Sequence, residues 1–282
     1  MLPLTRGIRK EMLPLVTRGS DGQISLKPVI HLILEELYRV GIRSFCIVVR
    51  KSEHMVKDYF TLEPSYIKYL IGASKYSVEL EELRRILADV NIEYVQQTLP
   101  NGFGDAVLKA RKFVSGDSFL LHAGDGYLLN GVPTLQRLLK VHTTFAPSAT
   151  VLTRVVENPT AYGIVSGTHE MKGGERLLRV NSLVEKPENP PSNHGLTAVY
   201  TFGSALMDAL SGTRPGRTGE IELTDGVMEM VRTGKTVYAI ELDETTPKWL
   251  SVGSPENYLR SLEISRLSVE SSPAHASKSL AK

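Results

Sequence analysis

Apolar positions in the first half of the chain fall into two alternating spacings. Over residues 28–41, PVIHLILEELYRVG sets Ile30, Ile33, Leu34 and Leu37 at helical intervals, with Pro at the start and Gly at the stop. That spacing turns Glu35 and Glu36 outward. SFCIVVR, residues 44–50, follows as a short β-branched run of strand length, suited to a strand covered on both faces. The alternation continues with a helix over 80–90, a strand over 92–97, a helix over 105–114 and a buried strand over 118–123. Such repetition predicts an α/β fold with a doubly wound, mostly parallel, Rossmann-like sheet.

Past residue 148 the texture changes. SATVLTRVV, YGIVSG, RLLRVNSLVEK and TAVYTFG read as strands joined by short, turn-rich connections, so a mixed or antiparallel extension is expected beside the first sheet, not an independent domain. Helices over 226–234 and 255–270 flank a strand at TVYAIEL. One domain therefore spans 1–267. Residues 268–282, ending in small and polar types that bury little, are expected to form a disordered tail.

Composition adds mainly exclusions. Thirty-three basic and thirty-one acidic residues give a formal charge of +2, too balanced to argue for nucleic acid or an anionic membrane. No apolar run reaches the ~18 to 20 residues of a membrane span, and no signal-peptide pattern opens the chain, so a cytoplasmic protein is expected. The single cysteine, Cys46, lies within SFCIVV and reads as a small buried hydrophobe.

In open parallel sheets ligands sit beyond the carboxyl ends of the strands, and three such places carry suggestive residues. Gly102 and Gly104, in TLPNGFGDA, let backbone approach a ligand just before a helix N-terminus; a plain turn is the alternative. Gly124-Asp125-Gly126 offers a carboxylate that is either a turn residue or a Mg²⁺ ligand. Glu185 and Lys186 form an adjacent acid and base at a strand end, which otherwise read as a solvated surface pair. Together these are parts for holding a nucleotide, a metal and a phosphorylated sugar.

The stretches RKEMLPLV, VQQTLPNGFGDAVL, AGDGYLL, TAYGIV, VEKP, GEIELTD and WLSVGSPENYL, in that order, resemble the sugar nucleotidyltransferases. More narrowly they are similar to the bacterial and archaeal UTP:glucose-1-phosphate uridylyltransferases. The resemblance implies uridylyl transfer from UTP to glucose-1-phosphate with Mg²⁺, and a homo-oligomer. It assigns Lys10 to the phosphates with Arg6 as a second basic residue, and Gln97 and Gly102 to the pyrimidine edge. Asp125 falls at the metal-binding aspartate, Gly163 at a backbone contact to the sugar, Glu185 at the sugar hydroxyls and Lys186 at the sugar phosphate. Glu220 falls near the sugar. The glutamate of KEMLP favours uridylyl over thymidylyl transfer to glucose-1-phosphate.

Two departures accompany the likeness. The resembled pattern places a central strand and a GxGTR phosphate loop before MLP, where this chain opens, so the expectation is a start codon upstream, the alternative being a short chain that has lost the loop. A missing central strand would leave ladder groups costing ~1 to 3 kcal/mol each if buried, against a total stability of ~5 to 15 kcal/mol. Ser251, in WLSVGS, stands where the pattern has a second metal carboxylate, and a hydroxyl is a weaker Mg²⁺ ligand. Asp243 and Glu244 are the nearby carboxylates. A noncatalytic nucleotide-sugar binder is therefore the rival reading, and a related glycosyltransferase, which needs a D-x-D motif, a weaker third.

Overall fold

The computed structural model describes residues 4–51, 54–73, 77–116, 118–216, 219–243 and 248–271. A short helix α1 (Leu4–Gly7) and a 3₁₀ turn (Lys10–Met12) lead into the hairpin β1 (Pro14–Arg18) and β2 (Ile24–Pro28), then helix α2 (Val29–Arg39). Strand β3 (Ser44–Arg50) is followed by α3 (Met55–Tyr59), α4 (Pro64–Gly72), α5 (Val78–Asp89) and β4 (Asn91–Gln97). Ser77 fixes the start of α5, its side chain accepting from the Leu80 N–H at 3.2 Å. Next come α6 (Phe103–Lys109), α7 (Arg111–Val114), β5 (Phe119–His122), β6 (Gly126–Leu129) and α8 (Val132–Phe145). The second half holds β7 (Ala149–Val155), β8 (Gly163–Lys172), β9 (Glu175–Glu185), β10 (His194–Phe202), α9 (Ala205–Gly212) and α10 (Leu223–Arg232). Strand β11 (Val237–Glu241), β12 (Lys248–Ser251) and α11 (Pro255–Ser271) complete it.

The architecture is the expected mixed α/β. Six strands share one sheet in the order β5-β10-β7-β11-β9-β8, and β8 also pairs with β10, so the sheet curls back on itself. Parallel pairing joins β3 to β4 and β7 to β11; the other pairings among the described residues are antiparallel. The extension read after residue 148 thus shares a sheet with β5. Alternate side chains serve two cores: Val237 and Ala239 face one with α6, α9 and α10, while Tyr238 and Ile240 face the other with α2 and α8. Val269 is buried in the last turn of α11, so residues 268–271, expected in the tail, belong to that helix; the rest of the tail lies outside the described residues.

Helix α2 lies where the pattern put it, but its two glutamates are not outward. Glu35 and Glu36 are only 5% and 2% exposed. Glu35 meets Lys27 at 2.7 Å, His31 at 3.1 Å and Arg39 at 3.6 Å. Burial alone would raise its pKa, but the hydrogen bonds and charges of His31 and Lys27 hold it down to about 2. Among charges, Glu36 has only that of Arg39 to set against burial. Its Oε1 accepts the Gly131 N–H at 2.9 Å, its Oε2 is buried without a partner, and burial pushes it up to about 8. The native state therefore binds this proton more tightly than the unfolded chain, so stability falls as pH rises from about 4.5 to about 8 and then levels. Glu36→Gln is expected to flatten that decline and to be more stable than the parent at pH 8 by on the order of a few kcal/mol, read from denaturant melts at pH 5 and 8.

Cys46 is half-buried, and burial with the nearby Glu93 raises its thiol to about 11, in keeping with a packing role. Among the described residues no helix is long and apolar enough to cross a membrane.

Candidate active site

Asp125 sits in the turn between β5 and β6, and β12 runs antiparallel to β6 so that Ser251 is opposite Gly126. The Val252 N–H donates to the Asp125 carbonyl at 2.9 Å, which pins the turn to the end of β12. Ser251 Oγ and Asp125 Oδ2 lie 3.4 and 3.5 Å from where a β-carbon on Gly253 would be, so both face one small space. Lys10, at the start of the 3₁₀ turn, reaches the same place: its Nζ is 2.6 Å from Asp125 Oδ2. Arg6 is on α1, exposed and one turn further back. Behind this corner His122 stacks loosely on Trp249, ring centres 6.0 Å apart, and burial lowers its pKa to about 4 despite the Ala123 carbonyl and Asp125, leaving it neutral at pH 7.

A second corner forms where β8 begins and β9 ends. Gly163 pairs with Glu185, and a β-carbon at Gly163 would sit 3.0 Å from Glu185 Oε2. The carboxylate is raised above its ordinary range, first by burial and then by Glu222, with Lys186 and Thr224 acting the other way. Lys186 Nζ stands 3.5 Å from Glu185 Oε1. Lys186 has a left-handed φ of 41°, held by its N–H donating to the Tyr162 carbonyl at 3.0 Å. This strained conformation, not strand alternation, sets the direction of the acid and its neighbouring base.

The third group lies at the end of β4. Gln97 Nε2 donates to the Gly102 carbonyl at 3.0 Å and to Asp105 Oδ2 at 2.8 Å, which fixes the amide. Gly102 has φ 107°, and a β-carbon there would stand 2.6 Å from the Ile221 carbonyl, so no other residue fits. Two backbone bonds, Gly104 N–H to Ile221 O and Ile221 N–H to Asn101 O, both 2.8 Å, lash this loop to GEIELTD. That contact sets Glu220 beside the Gly102 loop. Its β-carbon is 2.9 Å from the Gly102 β-position, whereas Glu222 and Thr224 are the residues of that segment beside Glu185. In extended chain, positions 220 and 222 face the same way, and the pattern could not choose between them.

Tyr200 is a buried side chain that both corners act on electrostatically. It is 4% exposed on β10, and its hydroxyl is pushed well above the usual phenol range by burial, then by Glu185, then by Asp125. Its ring packs against Phe202 in the core behind both corners. Sequence reading passed over Tyr200 as one aromatic in TAVYTF; its position depends on the irregularity between Leu196 and Tyr200, where Ala198 takes φ 54°. Asp105 and Glu222 were also missed; for Asp105 the only signal was its place in the first turn of α6.

Among the described residues no group of three or more His, Cys, Asp and Glu could hold a metal ion by itself. Asp125 alone offers a carboxylate, with the Ser251 hydroxyl beside it. That donor set fits a Mg²⁺ arriving with substrate phosphates, which needs only one or two protein carboxylates. Asp243 is described but Glu244 lies outside the described residues.

The family model for nucleotidyl transferases matches residues 1–265. A UTP–glucose-1-phosphate uridylyltransferase of Pseudomonas aeruginosa is 30% identical over 264 residues, covering 92% of this chain and 88% of that one. Another of that name, from Streptococcus pneumoniae, is 31% identical over 247 residues, with coverage of 85% and 78%. Among solved structures, a UDP-glucose pyrophosphorylase complexed with UDP-glucose superposes with a TM-score of 0.77 at 24% identity, over 96% of this chain and 94% of that one.

Proposed function

Because this chain belongs to the nucleotidyl transferase family, we propose that it transfers a uridylyl group from UTP to glucose-1-phosphate, forming UDP-glucose and releasing pyrophosphate. A phosphate oxygen of the sugar attacks the α-phosphorus, and the bond to the β-phosphate oxygen breaks as pyrophosphate leaves. The observation that carries this reading is the meeting of Lys10, Asp125 and Ser251 at one corner and Glu185 and Lys186 at another. Both reactants are anionic, so the chemistry needs alignment and charge neutralisation more than a nucleophile from the protein. Lys10 and Arg6 attract the triphosphate and Lys186 the sugar phosphate. Glu185 accepts from sugar hydroxyls beside the Gly163 backbone. Gln97 and the Gly102 loop, with Glu220, frame the base. Mg²⁺ held by Asp125 and phosphate oxygens would supply further charge neutralisation at the α-phosphate. The assignment includes a cytoplasmic setting and a homo-oligomer.

The test is pyrophosphate release from UTP and glucose-1-phosphate with Mg²⁺, together with UDP-glucose formation. Stoichiometric release, at least tenfold faster with UTP than with dTTP, is the expected result. Binding of UDP-glucose without any release would instead establish the noncatalytic binder. Preference for dTTP would identify the thymidylyltransferase.

Ser251 gives a sharper check on the metal corner. Ser251→Asp puts a second carboxylate beside Asp125, and calorimetry with Mn²⁺ in the presence of a nonhydrolysable UTP analogue is expected to show at least about tenfold tighter binding. An unchanged affinity would remove the cation from this corner.

A further inference from the structure

The Gln97 amide, at the end of β4, is held by acceptors alone. Its Nε2 carries two hydrogens and both are taken, one by the Gly102 carbonyl at 3.0 Å and the other by Asp105 Oδ2 at 2.8 Å. The opposite flip would set Oε1 against a carbonyl and a carboxylate, acceptor facing acceptors, so the chemistry of the two partners decides which way the amide points. Only Oε1 is left over. No group among the described residues donates to it, and it is not sealed from solvent.

Both acceptors are fixed without help from Gln97. Asp105 is 6% exposed in the first turn of α6, and its Oδ1 is held by Lys109, one turn on, at 3.1 Å. A carboxylate paired with a cation accepts and does not donate. The Gly102 carbonyl belongs to the loop that the Gly104 N–H and the Asn101 carbonyl tie to Ile221. Gln97, whose side chain in water offers donors and an acceptor alike, therefore offers a ligand only an acceptor.

We propose that Asp105 is a positioning residue that sets the choice of nucleobase: it makes Gln97 an acceptor-only reader, matched to a pyrimidine with an N–H at position 3 and mismatched to cytosine. Uracil and thymine carry that N–H between two carbonyls, and Gln97 does not tell them apart. Cytosine has a lone pair at N3, so the same approach puts acceptor against acceptor and leaves two polar groups unpaired. To use its N4 amine instead, the ring must slide along the loop and carry the ribose and phosphates with it. This selection rests on the base lying at Gln97, which is part of the proposed function.

The experiment compares UTP, dTTP and CTP on the full chain, by calorimetric titration without the sugar and by pyrophosphate release with glucose-1-phosphate and Mg²⁺. The parent is expected to bind UTP at least about tenfold more tightly than CTP and to favour it by about a hundredfold or more in kcat/KM. Asp105→Asn keeps the shape but supplies an amide N–H to meet Oε1, so Gln97 is free to flip and present Nε2 to the base. The UTP-to-CTP ratio should then fall at least about tenfold in both measurements, with CTP used better than by the parent. The UTP-to-dTTP ratio and KM for glucose-1-phosphate should stay within about threefold. Asp105→Ser, whose hydroxyl donates or accepts, should move the ratio the same way, and it decides the matter if the asparagine variant melts well below the parent. Equal loss on UTP and CTP, with their ratio kept, would make Asp105 merely structural and overturn the proposal, as would a parent that binds both alike or neither. If UTP binds selectively and no pyrophosphate appears, the catalytic reading fails while the titrations still decide Asp105. Release from UTP and CTP at the same rate sinks the reader and leaves the catalytic reading standing.

Discussion

Asparagine in place of Asp125 is expected to lower kcat by roughly a hundredfold to a thousandfold, the scale at which one preorganised electrostatic group acts. The carboxylate has two neighbours whose roles it sets. It holds Lys10 at 2.6 Å, and it shares a small space with the Ser251 hydroxyl, so on the proposed function its loss removes the carboxylate that would draw a cation to the triphosphate there. KM for glucose-1-phosphate should change less than about threefold, because Glu185 and Lys186 form a separate corner. Lys10 and Asp125 are 45% and 33% exposed, so the pair contributes little stability and the melting temperature should hold within a degree or two. Lys10→Met should cost a similar factor in kcat. The double variant should be no worse than about the poorer single one, since both residues act on the same phosphates. A kcat within tenfold of the parent for Asp125→Asn, at unchanged melting temperature, would remove Asp125 from the reaction.

Much of this arrangement was legible in the chain, and what was not has identifiable causes. The period of α2 gave the helix at nearly its observed bounds, yet the helix is wrapped by β2, the 3₁₀ turn, β6 and α8, and no outward face is left for Glu35 and Glu36. Periodicity reports which residues must be buried, and it does not report how many sides a helix has covered. Glu35 is tolerated inside because Lys27, eight residues earlier on another element, meets it. Such a pairing has no local signature.

The site shows the same division. Gly102 and Asp125 follow strands and Glu185 ends one, where ligand chemistry collects in α/β sheets, and each could be found by asking what stands at the end of an apolar run. Lys10 lies 115 residues from Asp125 and met it only through the family resemblance. Tyr200 had no signal at all. In a regular strand it would alternate between core and surface, but the break in pairing between Leu196 and Tyr200 re-aims it, and such a break costs a left-handed Ala198 that no propensity predicts. Glu222 rather than Glu220 beside Glu185 follows from where α10 begins, a boundary that sequence locates only to a few residues.

Alanine at Gly126 is expected to cost about 2 to 4 kcal/mol and to abolish turnover. A β-carbon there would stand 2.0 Å from Trp249 Cζ2 and 2.3 Å from Cη2, closer than any side chain tolerates. The indole cannot simply rotate away, because Trp249 is paired across the ladder with Leu128 and packs on the core around α2 and α8. Either β12 must lift from β6 or the Asp125 turn must shift, and both separate Ser251 and the Val252 N–H from Asp125. At roughly 2 to 4 °C per kcal/mol for a chain of this size, the melting temperature should fall by about 4 to 16 °C. Trp249 is the only tryptophan, so its fluorescence reads this corner alone, and the variant's emission should move to the red before global unfolding begins. Shrinking the ring distinguishes the clash from a general loss of backbone freedom. Gly126→Ala combined with Trp249→Leu should recover at least half of the lost melting temperature, while Trp249→Leu alone should cost stability through the space it leaves. If the pair were no more stable than Gly126→Ala by itself, the glycine would be required by its backbone conformation and not by the indole lying on it.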